Sequence, residues 1–167
     1  RTPQEIIDSY LIAASTKELW KQLQDLIQAS PEKAKIITLI KTQYGVDPLS
    51  IATPTGDLLN LIYDATGKAK DISLVVGYYA AIAQLQTAIE ALSLADQATV
   101  IKGIAFDYKI TDILKPTKAE LDAKDNFNPL LFKEDKSLRT PQEIINTYLP
   151  WKQLQDLIQA SPEKAKI

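Results

Sequence analysis

The chain has 167 residues, of which 46% are hydrophobic and 24% are charged, and 19 basic and 21 acidic residues give a net charge of -2. This balance is typical of a folded globular protein, and without an excess of Lys and Arg it excludes a nucleic-acid partner bound through charge. The absence of Cys and His excludes disulfides, thiolate nucleophiles, Ser-His-Asp triads and the usual zinc sites. Because the chain also lacks Met, we expect that Arg1 is not a translation start.

The N-terminal region predicts two helices joined by a linker. Thr2-Pro3-Gln4-Glu5 is a capping box with proline at the first helical position, and the apolar face that follows ends at Leu11. The small-residue run Ala13–Thr16 predicts a linker. A second helix is expected from about Lys17, with Trp20 on its apolar stripe.

The middle of the chain predicts further capped helices. Ser30-Pro31-Glu32 predicts the start of one that ends at Gly45, and a shorter one is expected over residues 57–65. Residues 71–92 are apolar on nearly every face, which is typical of the central helix of a bundle. Ser93 predicts the cap of the next helix.

The stretch that follows predicts a short helix from Thr117 to about Lys124, and then a loop over residues 125–138. Together these signals predict an all-α fold, a multi-helix bundle with about six or seven helices per unit. The apolar run Ile72–Ile89 has the length of a minimal membrane span. It includes several polar residues, so we expect a buried bundle helix and a chain that does not span a membrane.

Two segments of the sequence occur twice. RTPQEII at residues 1–7 returns at 139–145, an offset of 138 (139 − 1). The seventeen residues from 20 to 36 return letter for letter at 151–167, an offset of 131 (151 − 20). The second copy therefore lacks seven residues. Either they are deleted from the protein, or a loop of the second copy is missing from the sequence.

The repeat predicts how the chain is built. Residues 1–138 are expected to form one period of a tandem helical repeat, and residues 139–167 a partial second copy of its first helices. Because the two copies share one apolar pattern, one chain has two candidate segments for one groove. Exchange between molecules, as in domain swapping, is therefore expected to be easy.

Large apolar residues are the candidate functional residues. Trp20 and Trp151 are equivalent in the repeat, and each is expected to anchor its helix in the core or to form a protein-binding hot spot. Core packing or the lining of an apolar-ligand cavity is predicted for five residues of the central helix: Leu74, Tyr78, Tyr79, Ile82 and Leu85.

Polar residues give weaker hypotheses. The oxygen-rich cluster between Asp122 and Asp135 has no central glycine and is interrupted by Pro129, so a solvated loop is predicted there and no metal site. No glycine-rich phosphate loop is present, and the acids lie mainly at caps and on polar helix faces. We therefore expect no cofactor and no enzyme activity.

The segment Ser30–Pro48 resembles in layout the insect allergen-related helical repeats. Ser-Pro-Glu opens a helix, and Gly-Val-Asp follows it. That family builds tandem helical units around a lipid-filled cavity, so the resemblance implies binding of an apolar ligand. Lys33 stands where that family has an aromatic residue.

The leading hypothesis is a non-enzymatic structural or interaction module from a tandem-repeat protein, acting by helix packing and multivalent contact or assembly. Its expected partners are neighbouring repeats, a second copy of the chain or another protein. The alternative is a helical carrier of a lipid or other apolar ligand in the bundle core. An extracellular or cell-surface location is favoured over the cytoplasm.

Overall fold

The computed structural model is all-α, which confirms the predicted class. It describes residues 1–167 apart from the side chains of Lys152 and Gln153. The α-helices are α1 (Pro3–Ala29), α2 (Lys33–Tyr44), α3 (Ile72–Glu90), α4 (Leu94–Tyr108), α5 (Lys118–Asp122), α6 (Lys124–Leu131), α7 (Pro141–Tyr148) and α8 (Pro150–Ala160). Short 3-10 helices cover Pro48–Ser50, Gly56–Leu61 and Lys164–Lys166.

The chain divides into two compact units, Arg1–Ala83 and Gln84–Ile167. The boundary falls within α3, so this helix contributes residues to both units. The division reflects packing within this chain. The predicted period over residues 1–138, with a partial copy over residues 139–167, concerns recurrence along a longer array and stays a prediction.

In the first unit, α1 is one continuous helix, and the predicted linker at Ala13–Thr16 is wrong. Thr2 and Glu5 form the predicted capping box, with backbone-to-side-chain distances of 3.1 and 3.0 Å. Alanine favours the helix strongly, and the Thr16 hydroxyl is 2.8 Å from the Tyr63 hydroxyl, a contact outside the helix. A small-residue run therefore continues the helix here.

After α1 the chain turns back, and the next helix lies against α1. α2 packs against α1 and ends at Gly45, whose φ of 82° gives the left-handed cap that glycine adopts without strain. Asp47 then accepts a hydrogen bond from the Leu49 N–H at 2.8 Å and begins a 3-10 helix. The core of this part includes Leu23, Ile27, Ile36, Ile40 and Leu61.

The second unit is arranged around α4. Ser93 caps this helix by accepting from the Asp96 N–H at 3.2 Å, as predicted, and both α6 and α7 pack against it. α6 begins at Lys124 and covers the first seven residues of the predicted loop 125–138, so that part of the prediction is wrong. Three buried apolar residues of α6, Phe127, Leu130 and Leu131, provide the stabilisation that outweighs the helix-breaking tendency of Pro129.

α3 is the one helix of the described residues that is long and apolar enough to cross a membrane. Its most apolar window is 56% buried inside the protein, and the core helix of a globular protein passes the same test. The prediction that the chain does not span a membrane therefore stays a prediction.

Candidate functional site

Four of the five predicted core or ligand-lining residues are buried. They are Tyr78, Tyr79, Ile82 and Leu85, whereas Leu74 is 72% exposed. The rings of Tyr78 and Tyr79 meet edge-on with centroids 5.5 Å apart, and burial raises the pKa of the Tyr78 hydroxyl. Burial is shared by core residues and by residues that line an occupied cavity, so a ligand-lining role stays a prediction.

The two tryptophans of the repeat have different surroundings. Trp20 is 1% exposed, and its indole N–H donates to the Ile51 carbonyl at 2.7 Å. Trp151 is 66% exposed at the start of α8. The structure thus places the first ring in the core of the first unit and leaves the second ring available to a partner.

A glutamine ties each long helix to the turn that follows the next helix. In the first unit the Gln24 amide donates to the Pro48 carbonyl at 3.0 Å, directly after the turn residue Asp47. In the second unit the Gln86 amide donates to the Ile113 carbonyl at 2.9 Å, directly after Asp112. Both aspartates cap their turn by accepting from the backbone N–H two residues later. The two units therefore use the same tie at corresponding places.

In each unit a tyrosine also bonds a later helix to an earlier one, α3 to α2 in the first unit and α7 to α4 in the second. Tyr79 on α3 donates to the Gln43 side chain at 2.5 Å, and Tyr148 on α7 donates to the Asp107 carboxylate at 2.7 Å. The two tyrosines are 69 residues apart (148 − 79), and Tyr10 lies another 69 residues before Tyr79 (79 − 10). Tyr10 is 73% exposed. The spacing of 69 is half of the sequence period of 138.

The loops before α3 and α7 also have the same conformation. An isolated β-bridge joins Tyr63 to Ala69 in the first loop and Phe132 to Leu138 in the second. Each loop has a left-handed residue at the corresponding position, Gly67 with φ 82° and Lys136 with φ 68°. Three backbone hydrogen bonds recur at the same places in the two loops, with lengths of 2.8 to 3.0 Å.

The apolar face of α7 is buried in the second unit. Ile144, Ile145 and Leu149 are 4%, 1% and 8% exposed, and α7 packs against α4. The Tyr148 ring lies where a Cβ at Gly103 would be, so this close approach requires glycine at position 103. Residues 144–149 are thus packed into the second unit.

The same face is exposed on α1. Ile6, Ile7, Tyr10 and Leu11 correspond to Ile144, Ile145, Tyr148 and Leu149, and they are 42%, 51%, 73% and 63% exposed. We call these four residues the α1 face. Three of the four corresponding residues are buried and Tyr148 is half-buried, which makes the α1 face a candidate interaction surface.

The C-terminal helix exposes the other half of the repeated segment. Trp151, Leu154 and Leu157 on α8 are 66%, 44% and 64% exposed. Leu154 corresponds to Leu23, which is buried on α1. Each end of the repeated segment is therefore buried in one copy and exposed in the other.

Charged groups reinforce the contact of α7. The Lys133 ammonium lies 3.4 Å from the Glu143 carboxylate in the first turn of α7. Partial desolvation raises the pKa of Glu143, but the hydrogen bond from the Thr140 N–H and the nearby Lys133 lower it more, so the net shift is downward. Burial and the hydrogen bond to Asp107 raise the pKa of Tyr148, because both favour the neutral hydroxyl over the phenolate.

An open groove of about 770 Å³ lies on the first unit. Its walls include Leu11 and Ile12 of α1, together with Leu59, Tyr63 and the turn that follows. Its lining residues come from α1 and from residues 56–69, so it is distinct from the predicted site on α3. The volume falls within the range of about 300–1,000 Å³ that is common for small-molecule sites.

The acidic cluster of the sequence is dispersed in the fold. Asp122 pairs with Lys118 at 2.8 Å, and Asp135 accepts hydrogen bonds from the Ser137 hydroxyl and N–H, which lower its pKa. Among the described side chains, no group of three or more acidic residues is placed to hold a metal ion.

Sequence reasoning missed the glutamine and tyrosine ties, although a signal for them exists. The tripeptide Gln-Leu-Gln occurs at residues 22–24, 84–86 and 153–155. In the second and third occurrences its last glutamine lies seven residues after the tyrosine, and in the first occurrence fourteen residues after it. An offset of 69 aligns the three tyrosines, but Gln24 and Gln86 are 62 residues apart, so a comparison at half the period would have found the tyrosines and not the pair of glutamine ties.

The comparisons with known proteins give no relative. No family model matches the chain, and the searches of curated proteins and of solved structures find no match. Function must therefore be inferred from the contacts themselves.

Proposed function

We propose that the chain is a non-enzymatic structural module of a tandem helical array, which acts by helix packing and multivalent contact. The observation that carries the proposal is the recurrence of the tyrosine and glutamine ties in both units. The tyrosines recur at half the spacing of the sequence repeat, so the proposed period of 138 residues consists of two related modules.

In this array each long helix is shared by consecutive modules. The first part of α3 is tied by Tyr79 to α2, and its second part is tied by Gln86 to the turn after α4. α7 and α8 repeat the sequences of the two ends of α1. Such linear arrays have stabilities that approximate the sum of module and nearest-neighbour terms.

The test is to add a second period. A chain of residues 1–138 followed by residues 1–167 is expected to unfold at a higher urea concentration than the single chain, in one cooperative transition, because one more internal interface is formed. In a matched control, Tyr10 of the second period, which takes the position of Tyr148, is replaced by alanine, which weakens the contact between the two periods. An unchanged midpoint, or two independent transitions, would contradict the array.

A second candidate function is the binding of an apolar ligand, and the groove beside α1 favours it. Leu11, Ile12, Leu59 and Tyr63 give this groove an apolar wall, whereas Ser15 and Asn60 supply polar groups. An acyl chain with a polar head has matching chemistry.

The ligand hypothesis has a direct test. Native mass spectrometry of the chain purified without denaturation should show a bound lipid, and Ile12→Asp should weaken binding of a fluorescent fatty acid by at least about tenfold. Leu157→Asp, at an exposed residue that does not line the groove, is the control. Absence of binding at about 10 µM fatty acid would remove this candidate.

A further inference from the structure

We propose that the α1 face docks on the α4 surface of a second copy of this chain, in the position that α7 occupies in its own unit. The inference rests on the proposed array, because it treats α1 and α7 as equivalent segments. It goes further by assigning a surface, its receptor and its occupant. The receptor is defined by three residues of the second unit, Gly103, Asp107 and Lys133.

The sequence of the docking segment carries the first step. Residues 1–11 and 139–149 are identical except at two positions, where Asp8 and Ser9 are replaced by Asn146 and Thr147. Both segments form helices capped by the same Thr and Glu box. Thr147 is exposed and Asn146 is only partly buried, so neither difference alters the buried face of α7.

The receptor carries the second step. It offers a position without a side chain at Gly103 for the tyrosine ring, a carboxylate at Asp107 for the tyrosine hydroxyl, and an ammonium at Lys133 for the glutamate of the capping box. α1 presents the same two partner groups, Tyr10 and Glu5. The α1 face therefore matches this surface in apolar shape, hydrogen bonding and charge.

The α1 face and the corresponding face of α7 differ in how exposed they are. On α7 the two isoleucines and Leu149 are at most 8% exposed and Tyr148 is half-buried, whereas the four equivalent residues of the α1 face are between 42% and 73% exposed. A contiguous exposed set of Ile, Leu and Tyr at helical spacing is typical of an interface. In this chain the corresponding residues of α7 pack against α4, so the surface that fits such a set is known.

The chain's own α7 competes for the same receptor. A segment joined by a short connection has an effective concentration in the millimolar range, so the wild-type chain is expected to be mainly monomeric at micromolar concentration. Weakening α7 should release the receptor to α1 of another molecule. Because each molecule has one α1 face and one receptor, the association is head-to-tail.

The experiment uses the full chain and substitutions at equivalent positions. Ile145→Asp places a charge in the buried face of α7, and this variant is expected to form dimers and longer species at about 100 µM, as measured by size exclusion with light scattering. Ile7→Asp alone should remain monomeric. The double variant Ile7→Asp/Ile145→Asp exposes the same receptor without a competent α1 face, so it should also be monomeric.

A less disruptive pair of variants tests whether the association is caused by misfolding. Tyr148→Ala removes the ring over Gly103 without burying a charge, and Tyr10→Ala/Tyr148→Ala is its control. Circular dichroism checks the helix content of every variant. Association of Tyr148→Ala that is lost in the double variant supports the proposal, and association that persists in either double variant overturns it.

A peptide measurement separates this proposal from the array. Synthetic peptides of residues 1–11 and 139–149 are titrated onto the folded Tyr148→Ala chain. We expect both to bind, with affinities within about tenfold of each other, and Tyr10→Ala in the first peptide to weaken its binding by at least about tenfold. Binding of the second peptide alone, or of neither, overturns docking of the α1 face, whereas the array is judged by the two-period chain.

Discussion

At the scale of single residues, Trp20 and Trp151 have the same neighbours in sequence and different surroundings in the fold. Both are followed by the same sixteen residues. Trp20 is buried and donates to Ile51, whereas Trp151 is 66% exposed. In the first copy α2 packs against α1 and the Ile51 carbonyl accepts the indole N–H, whereas in the second copy the residues that correspond to the start of α2 form a 3-10 turn, Lys164–Lys166.

The two tryptophans give a matched pair of substitutions. Trp20→Ala should lower the free energy of unfolding by about 3–5 kcal/mol, because it leaves a large cavity and the Ile51 carbonyl loses its donor. Trp151→Ala should change it by less than about 0.5 kcal/mol, because the ring has little packing to lose. Urea titration followed by circular dichroism measures both. Similar losses for the two variants would contradict the assigned surroundings.

At the scale of elements, the ends of helices were predictable and their continuity was not. The capping boxes at Thr2 and Thr117 and the Ser93 cap were read from short local patterns, and all three form. The run Ala13–Thr16 has no comparable local signal, because small residues suit both a helix and a linker. Packing outside the segment, including the contact of Thr16 with Tyr63, decides between them.

The candidate site was predictable only in part for a similar reason. The apolar character of α3 identified Tyr78 and Tyr79 as buried, but the partner of Tyr79 is Gln43, a polar residue distant in sequence. The corresponding partner of Tyr148 is Asp107. Because these partners differ in type, a search for identical residues does not reveal that the two contacts correspond.

Two helical glycines give the prediction at this scale. Gly103→Ala should displace Tyr148 and loosen α7, since the new methyl group has no room. Gly77→Ala should stabilise the protein by up to about 1 kcal/mol, because alanine favours the helix interior and nothing lies near the position. Hydrogen exchange of the α7 amides, with urea unfolding, distinguishes them. Unchanged protection of α7 in Gly103→Ala would contradict the close approach.

At the scale of the whole molecule, the recurrence of contacts is the main result that sequence reasoning did not reach. The repeat of 138 residues is visible because its copies are nearly identical. The spacing of 69 is present in the sequence as three equally spaced tyrosines, but only the geometry shows that the two tyrosine ties and the two left-handed loop residues, Gly67 and Lys136, correspond. The two units therefore share these contacts although most of the side chains at equivalent positions differ.

Acid should destabilise the whole protein. The pKa values of Asp64, Glu120, Asp135 and Glu143 are lowered in the fold. For Glu120, burial acts to raise the pKa, but hydrogen bonds from the N–H groups of Thr117 and Thr111 outweigh it. Groups with depressed pKa values contribute stability that is present above their unfolded values and is lost as the pH falls through the folded ones.

The expected result is a constant unfolding midpoint between pH 7 and 5, and a falling one below the ordinary glutamate and aspartate values of 4.5 and 3.8. Thermal unfolding at a series of pH values measures it. Glu120→Gln should flatten the acid limb, because glutamine does not titrate. A midpoint that rises on acidification would contradict the assigned direction of the shifts.

The glycine beneath Tyr148 has a consequence for the order of modules. Gly103 lies four residues before Asp107, and the residue four before Gln43 is Leu39, which is buried. In the proposed array, we expect that a helix that fits against Gly103 does not fit against Leu39, so that the two kinds of module alternate. Alternation doubles the distance between like modules, and on that proposal the shortest stretch that recurs almost unchanged is a pair of unlike modules.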